Sequence, residues 1–288
     1  MTGFSADLKS AHKNFLKYLK EQGRSSATIL AYGSDLDQLI NFCQKNKKTK
    51  ADQIASEDLN QFKKQLSQEN YTPKSVSRKI NSLKTFFKFL SKEKVINQNP
   101  ALNISHPHYE SKAPRILTKT EYRALRDACR QDLRMYTIVE LFLQTGIRIA
   151  ELANLKVDDF KNNLLQITAY GSQQSREIPL NPSVKMAVDN YSKIRPQSKA
   201  KILFLTKTGK PFLVRNIRGA VNRYFKIAGI REATVNDLRH TFINHQLRGG
   251  APLVLISKIV GHKRLSTTEK YLKLIKEKNP PKMKLKEL

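Results

Sequence analysis

The sequence predicts a mainly α fold with a small antiparallel β-sheet, and three features of its 288 residues point there. Apolar residues recur at three- and four-residue spacing through the first hundred positions. A polar, proline-marked stretch, HPHYESKAP (106–114), interrupts that pattern. Beyond it, one region alternates apolar and polar residues, LLQITAY (164–170) followed across a polar turn by SREIPL (175–180). Together they give an all-α amino-terminal domain over 1–103, a linker over 104–117 and a larger α+β domain over 118–288.

Four helices account for the first domain. Leu8, Phe15, Leu16 and Leu19 form one apolar face, and Ile29, Tyr32, Leu36, Leu39 and Cys43 form the next. Ser56 is placed to cap a third helix that buries Leu59, Phe62 and Leu66. Thr72 caps a fourth, with Pro73 in its first turn. That helix turns Val76, Ile80, Leu83, Phe86, Phe87 and Leu90 inward and carries Lys74, Arg78, Lys79 and Lys84 on its other face. In the second domain Thr118 and Glu121 make a capping box before two helices. The strand pair comes next, Ile202–Leu205 reads as a further strand, and the remainder is mostly helical.

Charge narrows the class of partner. With 53 Lys and Arg against 24 Asp and Glu, the net charge is +29. Self-repulsion of that size is relieved by a polyanion; nucleic acid is the default because neutralised phosphates release counterions, with a membrane surface and the ribosome as rivals. No apolar run reaches the roughly 18 residues that span a bilayer. The segment MTGFSADLKSAHKN lacks the apolar core of a secretory signal, so a cytoplasmic protein is expected. Cys43 and Cys129, each within a helical apolar pattern, read as reduced core thiols.

Breaking a phosphodiester without a metal needs cationic groups on the phosphate oxygens, a nucleophile, and an acid for the departing oxygen. Three stretches supply such groups. In LQTGIRIAEL (143–152) Gly146 ends a helix, Arg148 starts the next, and Glu151 can orient that arginine. In VNDLRHTFINHQL (235–247) Arg239 and His240 flank an apolar face of Leu238, Phe242 and Ile243. In LVLISKIVGHKRLSTTEKYL (253–272) a helix ends at Gly261 and His262 follows. There a Ser266–Glu269 capping box would place Tyr271 in the first turns of a new helix, whose dipole favours an anion. Each taken alone has an ordinary alternative: a surface salt bridge, a lone basic pair, a half-buried aromatic.

Taken in order, "TGIRIAEL", "LRHTF" and "GHKRLSTTEKY" resemble the tyrosine recombinases of the phage-integrase and Xer group over nearly the whole chain. The resemblance implies a SAM-like four-helix core-binding domain and an α+β tyrosine-recombinase catalytic domain. It implies Tyr271 as the nucleophile of a 3′-phosphotyrosyl link, Arg148, Arg239 and His262 around the phosphate, and Glu151 and His240 in support. It also implies a tetramer on two DNA sites, of one protein or with a paralog, passing through a Holliday junction without metal or other cofactor. Lys74, Arg78, Lys84, Lys263 and Arg264 are the candidate DNA contacts. The tail after Tyr271, with Lys273, Lys276, Lys278, Lys282, Lys284 and Lys286, resembles a segment that docks on a neighbouring protomer; equally it reads as a basic tail touching DNA.

Two positions depart from the family pattern. Asn236 stands where histidine is usual, and an amide can donate to a phosphate oxygen but cannot shuttle a proton at neutral pH. The turn AYGSQQSR (169–176) lacks the usual lysine; Tyr170 is nearest its place and is the candidate general acid, though it reads equally as a cross-strand aromatic, while Arg176 is a poorer acid. These departures keep open a DNA-binding relative impaired in catalysis, with an architectural or regulatory role. A type IB-like topoisomerase shares the nucleophile chemistry, and a metal-dependent nuclease is disfavoured because His106 and His108 sit in the linker without partners.

Overall fold

The computed structural model describes residues 7–110, 113–169 and 173–278, with side chains through residue 275. Tyr170 and the tail lysines 282, 284 and 286 lie outside the described residues. The chain divides into two compact units, Met1–Ser111 and Lys112–Leu288.

The first unit holds α1 (Leu8–Glu21), α2 (Ser26–Lys45), α3 (Ser56–Gln68) and α4 (Pro73–Lys92). Its core joins Phe15, Leu36, Leu39, Leu59, Phe62, Phe86 and Phe87, with Phe15 edge-on to Phe86 at 5.3 Å between ring centres. Thr72 caps α4 by accepting from the Ser75 amide at 3.3 Å. Ser56 does not cap α3. Ala55 holds the cap position, the Asp58 carboxylate takes its amide proton at 2.8 Å, and the Ser56 hydroxyl donates to the Pro100 carbonyl instead. Lys79 does not lie on the outer face either. It is buried, donating to Asp35 at 3.0 Å and to Gln38 at 2.7 Å, because the buried Asp35 carboxylate needs a counter-charge. Arg78 pairs with the same carboxylate. His106 is also partnered, at 3.1 Å from the Ser77 hydroxyl.

The second unit begins with α5 (Lys119–Cys129), started by the Thr118–Glu121 capping box, and α6 (Leu133–Thr145). The five-residue α7 (Ile149–Ala153) precedes a three-stranded antiparallel sheet of β1 (Phe160–Lys161), β2 (Leu164–Ile167) and β3 (Arg176–Pro179). Among the described residues there follow α8 (Pro182–Ile194), α9 (Val214–Ile227), α10 (Val235–Arg248), α11 (Leu253–Val260) and α12 (Ser266–Lys278). The main core wraps α6, with Ile138, Leu141 and Phe142 fully buried among Leu165, Val184, Ile217 and Leu238. A smaller cluster joins Phe242, Ile243, Val260 and Tyr271.

Two strand expectations change. Ile202–Leu205 forms only isolated bridges, Lys156 with Ile202 and Leu205 with Pro211, since no neighbouring segment continues the ladder. β1 was not anticipated, although Asn162-Asn163 carries the signal. Both residues take positive φ, 49° and 61°, in a two-residue hairpin that pairs Lys161 with Leu164. Ser266 begins α12 rather than capping it, and the Glu269 amide donates to the Leu265 carbonyl at 3.1 Å, so the expected box is not formed. Both cysteines are free and buried, and burial pushes their thiols up to about 11 at Cys43 and about 12 at Cys129. Among the described residues no helix is long and apolar enough to cross a membrane.

Candidate active site

The end of α11 organises the site. A helix leaves its last carbonyls without intrahelical partners. Here three in succession accept from three different arginines. The Ile259 carbonyl takes Arg176 Nε at 2.6 Å, Val260 takes Arg239 Nη2 at 2.6 Å, and Gly261 takes Arg148 Nη2 at 2.6 Å. The negative end of the helix dipole thus faces guanidinium groups. Gly261 closes α11 at φ 67°, and a Cβ there would stand 3.0 Å from Arg176 Nη1 and 3.2 Å from Arg148 Nη1. Glycine meets both demands.

Each arginine is held from a second side. Arg148 occupies the cap position of α7, its amide and its Nη1 both bonded to the Glu151 carboxylate at 2.9 and 3.0 Å. Arg176, at the start of β3, grips both oxygens of Glu151 at 2.8 Å in a two-pronged pair. Arg239 is 7% exposed and also donates to the Gly146 carbonyl. Burial alone would raise the Glu151 carboxyl, but Arg176 and then Arg148 outweigh it and hold it below the usual range. Burial, with Arg148 and Arg176 nearby, lowers Arg239 to about 9, leaving it protonated at neutral pH. Three cations against one carboxylate leave an excess positive charge suited to an anion.

Gly146 connects this cluster to α6. It ends that helix in the left-handed region, φ 60°, and a methyl group there would overlap the Phe242 ring. Gly146→Ala is expected to cost roughly 1–3 kcal/mol of stability, read as a lower denaturant midpoint, through backbone strain and overpacking.

His262 follows Gly261, and its Nδ1 sits 2.8 Å from the hydroxyl of the buried Thr268. Burial, then Arg239 and Arg148, press the imidazole down to about 4, so it is neutral at pH 7. Tyr271 is 4% exposed, and its phenol oxygen lies 2.5 Å from His240 Nδ1. Burial drives that phenol up to about 12. A cleft of about 590 Å³ opens beside His262 and Arg176, edged by Lys258, Lys263 and Gln173.

Arg148, Arg239, Glu151 and His262 therefore come together, and His240 touches Tyr271. Asn236 is exposed in the first turn of α10, one helical turn before Arg239 and His240. Lys263 and Arg264 are exposed just past His262. In the first unit Lys74 is exposed, Lys84 half-buried, and Arg78 is tied to Asp35. Arg176 is the member that sequence reasoning weighed only as an acid. Its signal is a charged residue that begins a strand at the end of the polar turn.

The phage integrase family model matches residues 115–278, and the phage integrase N-terminal SAM-like domain model matches residues 13–94. The chain belongs to the phage integrase family. Among its curated relatives, tyrosine recombinase XerC of Anoxybacillus flavithermus is 31% identical over 91% of this chain and 92% of that protein. Tyrosine recombinase XerD of Rickettsia bellii is 29% identical over 89% of this chain and 91% of that protein. A XerA recombinase crystal structure aligns at TM-score 0.54 and 26% identity, covering 96% of this chain and all of that one. A lambda integrase dimer bound to a COC′ core site shares the fold, at TM-score 0.75 and 18% identity over 91% of this chain and 97% of that one. The protein is a site-specific tyrosine recombinase, an enzyme acting on DNA, and the impaired-relative alternative is not favoured.

Proposed function

We propose that this recombinase cuts one DNA strand through Tyr271, forming a 3′-phosphotyrosyl link and releasing a 5′ hydroxyl. A hydroxyl from a second duplex reverses the step, and two such exchanges pass through a Holliday junction. The phosphodiester bond energy is kept in the covalent intermediate, so the exchange needs no nucleotide cofactor.

One observation carries the residue assignment: three guanidiniums and His262 converge at the end of α11, with Tyr271 against the residue that follows Arg239. Arg148 and Arg239 are fixed cations whose remaining N–H groups can meet the equatorial oxygens, where charge accumulates. Neutral His262, oriented by Thr268, offers its other ring nitrogen to a phosphate oxygen. Glu151 and Arg176 hold Arg148 in place. Asn236, on the same side of α10, adds a hydrogen bond, and Tyr170 is the candidate donor to the departing oxygen. Lys74 and Lys84 reach phosphates or base edges, as does Arg78, which DNA shares with Asp35, and Lys263 and Arg264 contact the DNA backbone.

In this proposal residues 1–103 bind DNA, 104–117 link the domains and 118–288 carry out catalysis. Assembly as a tetramer on two sites, from this protein or with a paralog, fits the neighbouring fold of a lambda integrase tetramer bound to a Holliday junction. The setting is the cytoplasm.

Covalent capture tests the proposal. Denatured lysate of cells expressing the chain should yield protein–DNA adducts whose modified peptide contains Tyr271, all sharing one DNA sequence. Adducts on another residue, or none, would overturn it.

A further inference from the structure

Activating Tyr271 requires somewhere for its proton to go. The phenol is buried and its acidity is suppressed by that burial, so it keeps its proton near neutral pH. Asn236, in the position where the family pattern has histidine, cannot receive it. His262 is occupied at Nδ1 by Thr268 and lies among the arginines that disfavour an added charge. His240 Nδ1 is 2.5 Å from the phenol oxygen. We infer that His240 is the proton acceptor for Tyr271 in strand cleavage and the donor that returns the proton on rejoining.

This rests on Tyr271 being the nucleophile. The phenol O–H donates to Nδ1, which places the ring proton of neutral His240 on Nε2. On cleavage the proton passes to Nδ1, giving an imidazolium, as the phenol oxygen bonds to phosphorus. The bond from phosphorus to the 5′ oxygen breaks, and that oxygen is protonated by a separate acid or by water. In rejoining, the phosphorus–phenol bond breaks and the imidazolium returns its proton to the leaving phenol oxygen.

The surroundings suit the role. The charged and titratable groups around His240 are Asp237 and Arg239 on its own helix, Tyr271 from α12 and His262 from the turn after α11. Burial lowers the imidazole below 6.5, Asp237 opposes that, and Arg239 adds to it, so the ring is neutral and ready to accept at pH 7. As imidazolium it would face Asp237, which stabilises the charge it acquires.

The test uses the full chain and a nicked duplex carrying the sequence recovered by adduct capture. His240→Asn keeps an acceptor oxygen near the Nδ1 position but cannot take a proton at neutral pH. Single-turnover adduct formation should slow by about 10²–10⁴-fold, with DNA affinity and thermal midpoint close to native. The native rate should fall in acid with a midpoint below 6.5, and that limb should vanish in the variant. In His240→Gly, added imidazole should restore part of the rate, which a merely structural histidine would not allow. Native-like cleavage by His240→Asn, or an unchanged acid limb, would overturn the inference while leaving Tyr271 as nucleophile. Failure of the native chain to form any adduct would remove the nucleophile and this inference with it.

Discussion

Replacing Arg239 with alanine should slow strand cleavage by roughly 10³-fold or more while weakening DNA binding far less. In the proposed reaction its charge meets the negative charge that gathers on the pentacoordinate phosphorus, and burial to 7% exposure shields it from water. Bonds to the Gly146 and Val260 carbonyls fix the guanidinium before substrate arrives, so little reorganisation accompanies the reaction. Lysine should rescue poorly. The single nitrogen of an ammonium cannot stand at both places where Nη1 and Nη2 meet the Gly146 and Val260 carbonyls, and a buried carbonyl left unpaired costs about 1–3 kcal/mol. Adduct formation on a nicked duplex, read beside equilibrium binding, separates the two effects. Cleavage by Arg239→Lys within tenfold of native would contradict the assigned role.

Removing the carboxylate at Glu151 should cost roughly 3–5 kcal/mol of stability. It neutralises Arg176 and Arg148 at once, with Arg239 close by. Without it, three guanidiniums share a half-buried space with no counter-ion. The melting temperature of Glu151→Ala should fall by on the order of 10 °C at low salt. Sulfate should recover more of that loss in the variant than it adds to the native protein, because an anion that binds the folded state stabilises it. The native protein carries a matching pH dependence. Glu151 titrates below its unfolded value of 4.5, so its contribution is complete above that value and is lost as pH falls through the lower folded one. The variant should lack this acid slope. An equal response of both proteins to sulfate would argue against an anion site among these arginines.

Helix periodicity made most of the architecture legible, because burial of one face repeats every three to four residues and leaves a trace in the sequence. Thr72 and Thr118 could be recognised as caps since the bond each makes lies within three residues. Ser56 misled for the same local reason. Asp58 competes for the Ala55 amide, while the Ser56 hydroxyl finds the Pro100 carbonyl, forty-four residues away. Lys79 misled because its partner Asp35 lies on another helix. Ile202–Leu205 has strand-like residues, but a strand exists only where a second segment pairs with it.

By itself the sequence determined the inventory: Arg148, Arg239, His262 and Tyr271 at spacings that mark the family, Asn236 in place of histidine, and a hairpin turn without lysine. Tertiary structure alone decided that three arginines end on three successive carbonyls of α11, that Arg176 rather than any lysine fills the β3 edge of the site, and that the phenol of Tyr271 rests on His240. The physical reason is range. Helix propensity and capping act over a few neighbouring residues, whereas a buried charge must find its counter-group wherever packing brings one, here from Glu151, twenty-five residues before Arg176, and from carbonyls eighty-three and one hundred and thirteen residues distant.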